Sequence, residues 1–147
     1  MNWIKLAIAT ISLFVGAAHA GATHFVSIKN EQVNLRAEPS TEAKVLYELK
    51  IGYPLQVISK DGKWLEVRDF EGDEGWVHES VTSSDPHKIL KTEGANIRSK
   101  ANKDSDSLAV IKYGEVLSVL GKKGSWVHIE TADGVNGWVH KNLLWGF

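Results

Sequence analysis

Gly75-Trp76-Val77-His78 recurs, letter for letter, as Gly137-Trp138-Val139-His140, 62 positions further along the chain. Outward from this pair and without a gap, residues 25–81 align with residues 87–143, and 17 of the 57 positions are identical. The matches include Asn34/Asn96, Arg36/Arg98, Gly52/Gly114, Gly62/Gly124, Trp64/Trp126 and Gly72/Gly134. Other pairs exchange one apolar residue for another: Leu35/Ile97, Leu49/Ile111, Leu65/Val127, Val67/Ile129 and Val81/Leu143. Trp is a rare residue, so two matched Trp pairs at one offset mark a duplicated unit. Residues 82–86, TSSDP, are polar and turn-forming and read as the linker between copy 1 (residues 25–81) and copy 2 (residues 87–147).

Within each copy the apolar pattern has period 2, in short pieces separated by turn residues. Val33-Asn34-Leu35-Arg36 alternates, and residues 37–40 (AEPS) form a loop. Residues 44–50 alternate again, Gly52 breaks the run, and Leu55-Gln56-Val57 leads to the turn Lys60-Asp61-Gly62-Lys63. Asp-Gly suits a tight hairpin. Residues 64–69 and Trp76-Val77-His78 make two further strands, and no segment carries a helical stripe. Five short strands in about 60 residues hide their edges only by curling up, so the expected fold is all-β: two tandem small β-barrels.

Here the chain resembles the bacterial SH3-like (SH3b) domains. These open on a strand of the type apolar-Asn-apolar-Arg followed by a Gly/Pro/Ser loop, carry a central Gly and then Gly-x-Trp-x-x-apolar, and close on Gly-Trp-Val and a polar residue. Copy 1 has Val33-Asn34-Leu35-Arg36-Ala37-Glu38-Pro39-Ser40, Gly62-Lys63-Trp64-Leu65-Glu66-Val67 and Gly75-Trp76-Val77-His78. Copy 2 has Asn96-Ile97-Arg98, Gly124-Ser125-Trp126-Val127-His128-Ile129 and Gly137-Trp138-Val139-His140, but replaces Pro39-Ser40 by Ala101-Asn102. The resemblance implies SH3-like barrels that bind cell-wall (peptidoglycan) peptides or an envelope protein partner. No catalytic domain being attached, it further implies a non-enzymatic adaptor. The alternative is an accessory domain or subunit of a wall hydrolase, or a weak wall amidase.

Composition sets the outer limits. With 43 % hydrophobic and 24 % charged residues the chain is of ordinary globular make-up. The absence of Cys excludes disulfides, zinc-thiolate sites and a cysteine nucleophile. A net charge of −1 gives no reason to expect nucleic-acid binding. Residues 1–20 read as a signal peptide: Lys5, an apolar stretch from residue 6 to 18, then Ala18-His19-Ala20 as cleavage site. The mature chain is therefore expected in the periplasm or secreted, without stable membrane insertion. Oligomeric state stays open.

Strand parity selects the candidate ligand-binding residues. Leu65 and Val67 share one face, so Trp64 points the other way, as does Trp126 in copy 2: each is either a cover over an open barrel end or a platform for ligand. Trp76 and Trp138 are expected to close the barrel, and Trp145 and Phe147 to plug copy 2. Arg36 and Arg98 share a face with Asn34 and Asn96. There the Asn bonds loop backbone while the Arg stem packs on a Trp, or the Arg grips a peptide carboxylate. Overlaying the closing segment of the eukaryotic SH3 domains places His78, Ser80 and Val81 at the groove, and His140, Asn142 and Leu143 in copy 2. The Tyr of that segment is missing, so proline-rich binding is not implied.

Catalysis has little support: Ser80 lies near His78, but copy 2 keeps His140 and has Asn142 in place of the Ser. The isolated His residues are poor metal ligands, Glu71, Asp73 and Glu74 read as solvated turn charges before a calcium site, and no cofactor is expected. Residues 25–86 carry −5 and residues 87–147 carry +3. The barrels are thus expected to pack together, the acidic turns of one near the lysines of the other.

Overall fold

The computed structural model describes residues 23–147; the expected leader lies outside the described residues. The first unit contains β1 (His24–Ile28), β2 (Val33–Arg36), β3 (Val45–Leu49), β4 (Pro54–Asp61), β5 (Trp64–Arg68), β6 (Glu74–His78) and β7 (Thr82–Ser83). The second contains β8 (His87–Leu90), β9 (Gly94–Arg98), β10 (Ser107–Lys112), β11 (Val116–Lys123), β12 (Trp126–Glu130), β13 (Asn136–His140) and β14 (Leu144–Gly146). Their sheets run β3-β2-β6-β5-β4-β1-β7 and β10-β9-β13-β12-β11-β8-β14, the same order twice, with no strand exchanged between them.

Seven strands per unit replace the expected five. β1 and β8 lack clean alternation because both of their faces are buried: Ser27 and Ile28 are buried side by side, as are Ile89 and Leu90. β7 takes Thr82 and Ser83 out of the expected linker and pairs them with Ile28 and Ser27. A Ser27–Ser83 hydroxyl contact of 3.0 Å and a bond from Ser27 Oγ to the Asp85 carbonyl fix this crossing.

The alternation of the other strands builds the cores. In β5 Leu65 and Val67 face inward, and in β6 Val77 does, joining Val26, Ile28, Leu35 and Leu55 in one buried cluster. Leu90, Ile97, Leu117, Val127, Ile129 and Val139 form its counterpart in the second barrel. Each such side chain contributes about 1.5–3 kcal/mol relative to exposure. The β4–β5 hairpin closes on Gly62 and Lys63 between the partners Asp61 and Trp64, one residue later than the Asp-Gly reading; Gly62 has φ 58°, as a type II′ turn requires at its first central position.

The barrels dock through aromatic contacts. Phe25 of β1 meets Trp145 of β14 edge-to-face at 5.0 Å and Phe147 at 5.9 Å. The terminal aromatics therefore join the two barrels, where a plug on copy 2 alone was expected. On a second patch Phe70 lies 5.2 Å from Tyr113, whose hydroxyl donates to Glu71 Oε1 at 2.6 Å. The expected acid–lysine pairing across the join is not what holds it. Among the described residues the ion pairs are Lys60–Glu79, Arg68–Glu74 and Lys103–Asp104, each within one barrel. Exposed charges in water attract weakly, whereas aromatic faces gain by leaving it.

Candidate functional site

The Trp at the start of β5 and the His at the end of β6 are register partners, as are their equivalents in β12 and β13. Both point away from the core. The Trp64 and His78 rings meet edge-to-face at 5.3 Å and 87°, and those of Trp126 and His140 at 5.4 Å and 86°. A geometry repeated this closely is fixed by strand register, so each barrel presents the same half-buried indole beside an imidazole.

Each imidazole also caps a turn. His78 Nδ1 accepts from Ser80 N at 3.2 Å and lies 2.7 Å from Ser80 Oγ; His140 Nδ1 accepts from Asn142 N at 3.3 Å. These bonds start the single 3-10 turns Glu79–Val81 and Lys141–Leu143. With Nδ1 accepting, the neutral ring carries its proton on Nε2, a donor on the far edge of the ring. The Ser-to-Asn exchange between copies thus keeps a cap: the backbone N–H is what the His needs, and either residue supplies it.

Arg36 and Arg98 are tied to the first loop of their barrels. Arg36 Nη1 donates to the Ala43 carbonyl at 2.9 Å, and Arg98 Nη1 donates to the Ser105 carbonyl at 2.9 Å. The Arg therefore holds loop backbone, the role expected of Asn34 and Asn96; Asn96 Oδ1 instead accepts from Ser107 Oγ. One guanidinium N–H engaged leaves the rest of the fork available to a ligand.

In the second barrel these residues converge. Arg98, Trp126 and His140 line one cleft of about 330 Å³ together with Asn96, Lys103 and Leu143. Lys103 was not anticipated; it comes from the loop that Arg98 anchors, and copy 1 has Thr41 at that position. Two cations, an indole face and an imidazole N–H form a surface suited to a carboxylate-bearing peptide. Trp76 and Trp138 are the residues through which β6 pairs with β2 and β13 with β9, opposite Arg36 and Arg98. They sit half-buried on the outer face because their neighbours Gly75 and Val77, or Gly137 and Val139, fill the inner one. Trp138 stacks on His128 at 4.6 Å and 13°.

The acidic turn of the first barrel brings Asp69, Glu71 and Asp73 together. Asp69 Oδ1 accepts from the backbone N–H of Glu71 and of Asp73, both at 2.9 Å, and Tyr53 Oη donates to Oδ2 at 3.4 Å. In copy 2 the equivalent residue is Thr131, whose Oγ1 accepts from Val135 N at 2.9 Å. A neutral hydroxyl fills the same role, so the turn itself accounts for Asp69.

Comparison with known proteins gives the following. Residues 29–84 match a family described as "Bacterial SH3 domain", and residues 93–144 match a second family of the same description. The chain is 26 % identical over 136 residues to the "Putative N-acetylmuramoyl-L-alanine amidase YrvJ" of Bacillus subtilis (strain 168), covering 82 % of this chain and 26 % of that protein. It thus spans about a quarter of the length of that curated relative. Among solved structures it is similar to an NlpC/P60 family protein from Bacillus cereus ATCC 10987 (TM-score 0.40, 15 % identity, 83 % of this chain and 56 % of that one). It is also similar to NlpC2 from Trichomonas vaginalis (TM-score 0.38, 12 % identity, 85 % and 48 %) and to "Endolysin LysPBC5 CBD" (TM-score 0.31, 17 % identity, 82 % and 90 %).

Proposed function

Because this chain belongs to the bacterial SH3 domain family and carries two of its domains in tandem, we propose that it binds the peptide part of the cell wall outside the cytoplasm, as an adaptor without catalytic activity of its own. The observation that carries this reading is the convergence of Arg98, Trp126 and His140 on one cleft with Lys103. The cations recognise a peptide carboxylate, the indole stacks on the peptide plane, and His140 Nε2–H donates to a carbonyl. The matching Trp64–His78 pair offers a second, weaker foothold, and two footholds on one polymer raise retention through avidity. The amidase relative supports a wall ligand. A role beside catalysis is supported by copy 2, where Asn142 replaces Ser80 and only its backbone N–H reaches His140 Nδ1, so the 2.7 Å contact of Ser80 Oγ with His78 Nδ1 is not shared by the two barrels.

The test is co-sedimentation of the pure protein with purified peptidoglycan sacculi at low salt. Retention is expected, falling about tenfold in Trp126→Ala and in Arg98→Ala, the loss of one stacking or charge-assisted contact. A wild-type protein that stays in the supernatant sinks the wall-binding reading. Release of soluble wall fragments by the pure protein would instead favour the amidase reading that the relative's name raises.

A further inference from the structure

Docking of the barrels creates a second cleft that neither contains alone. It has a volume of about 640 Å³ and is lined by Glu31, Lys50, Ile51 and Gly52 of the first barrel and by His87, Glu115, Val116, Ser118 and Glu130 of the second, among others. Its floor is built tightly. Gly52 has φ 80°, and a Cβ there would stand 2.8 Å from the His87 ring and 3.1 Å from Val116 Cγ1. His87 is held in turn, with Nδ1 3.0 Å from the Asp85 carbonyl and Nε2 3.4 Å from Ser118 Oγ. The His87 side chain, at the start of β8, thus forms one wall, and a substitution at Gly52 would push it out.

The chemistry of this lining differs from that of the Trp126 cleft. Its lining carries three carboxylates, of which Glu115 already accepts from the Lys112 backbone N–H, and one ammonium, where the other cleft offers cations and an indole. Glu31 and Glu130, one from each barrel, enter no ion pair among the described residues, nor does Lys50. Ile51, half exposed at 50 %, and Val116 supply an apolar strip between the charges. A cleft of this size takes a ligand of two or three amino-acid residues. We propose that the inter-barrel cleft is a second binding site, for a short zwitterionic peptide with a free side-chain amine. Its ammonium groups are taken by Glu31 and Glu130, its carboxylate by Lys50, and its aliphatic stem lies over Ile51 and Val116. The excess of carboxylates favours a ligand with more amines than acids. The site exists only while the barrels are docked, so ligand binding and docking stabilise each other.

The experiment titrates the ¹⁵N-labelled full chain with the tripeptide Ala-Lys-Ala, both amines free, and with the same peptide acetylated at both. The free peptide is expected to shift the amide signals of Gly52, Val116 and Ser118 saturably, and the acetylated one to leave them in place. Glu31→Gln and Glu130→Gln, at surface positions that leave the cores intact, should each weaken binding about tenfold. Trp126→Ala should leave it unchanged. Shifts that ignore acetylation or both Glu substitutions overturn the proposal, as do shifts centred on Trp126 or no shifts at all. The sacculus assay reads the Trp126 cleft, so either site can fail without the other.

Discussion

Tyr113 of the second barrel donates its hydroxyl to Glu71 of the first, and this bond more than anything else holds the phenol proton, raising its pKa to about 12. The two residues lie 42 positions apart in sequence. Their counterparts in the other copy could not form this bond: Ile51 stands at the position of Tyr113, while Asp133 keeps an acid at that of Glu71.

The docked arrangement rests on such contacts, and on Phe25 against Trp145 and Phe147. Phe25→Ala combined with Tyr113→Phe is expected to undock the barrels without unfolding either core. Small-angle scattering should show a larger radius of gyration, and ¹⁵N relaxation should show two independently tumbling units in place of one. An unchanged scattering curve would remove the aromatic account of docking.

Gly75 and Gly137 sit where strand β6 passes β2 and strand β13 passes β9. A Cβ on Gly75 would lie 2.7 Å from Leu35 Cγ and 2.9 Å from the Arg36 carbonyl oxygen; on Gly137 it would lie 2.6 Å from the Arg98 carbonyl oxygen. Backbone cannot step aside as a side-chain tip can. Gly75→Ala and Gly137→Ala should each destabilise by about 1–3 kcal/mol, read as a lower denaturant midpoint at constant slope.

Asp69 and Thr131 bond the same turn from equivalent positions. Asp69→Ala should lower stability by about 1–2 kcal/mol, and Asp69→Thr should restore much of the loss. Thermal melts with and without added calcium should coincide, since the carboxylate is already occupied by backbone N–H groups. A calcium-dependent rise in Tm would show that the turn binds metal after all.

Lys88 stands in copy 2 where copy 1 has the core residue Val26. Burial, reinforced by the nearby Lys122 and Lys91, lowers its pKa to about 8, and Nζ donates to the Gly146 carbonyl at 3.1 Å. Below pH 8 both folded and unfolded chains carry the proton, and the fold bears the strain of a buried charge. Between pH 8 and pH 10 the folded chain releases it while the unfolded chain keeps it. Stability should therefore rise with pH across that window, by about 2 kcal/mol. Lys88→Met should abolish the rise. Above pH 10 the raised pKa values of Tyr53 and Tyr113 act in the opposite sense, because there the unfolded chain loses protons first.

Much of each barrel was legible because strands with one buried face write their parity into the sequence. Leu65 and Val67 declared the inner face of β5, and with it the outward Trp64. β1 and β8 escaped notice because they are buried on both faces, one toward the core and the other toward the neighbouring barrel or crossing chain. That Arg36 and not Asn34 bonds the loop was hidden for a simpler reason. Both point outward, and only the loop's path decides which one reaches a carbonyl.

The sequence alone determined the duplicated unit, five of the seven strands in each copy and the inward face of those strands, because matched positions at one offset encode the same local periodicity twice. How the barrels meet was settled only by tertiary structure. The docking residues Phe25, Phe70 and Tyr113 fall where the copies differ, facing His87, Ala132 and Ile51 in the alignment. A head-to-tail contact joins two unlike surfaces, so it must be built from unmatched positions, and neither a repeat nor a period reveals which of them will touch.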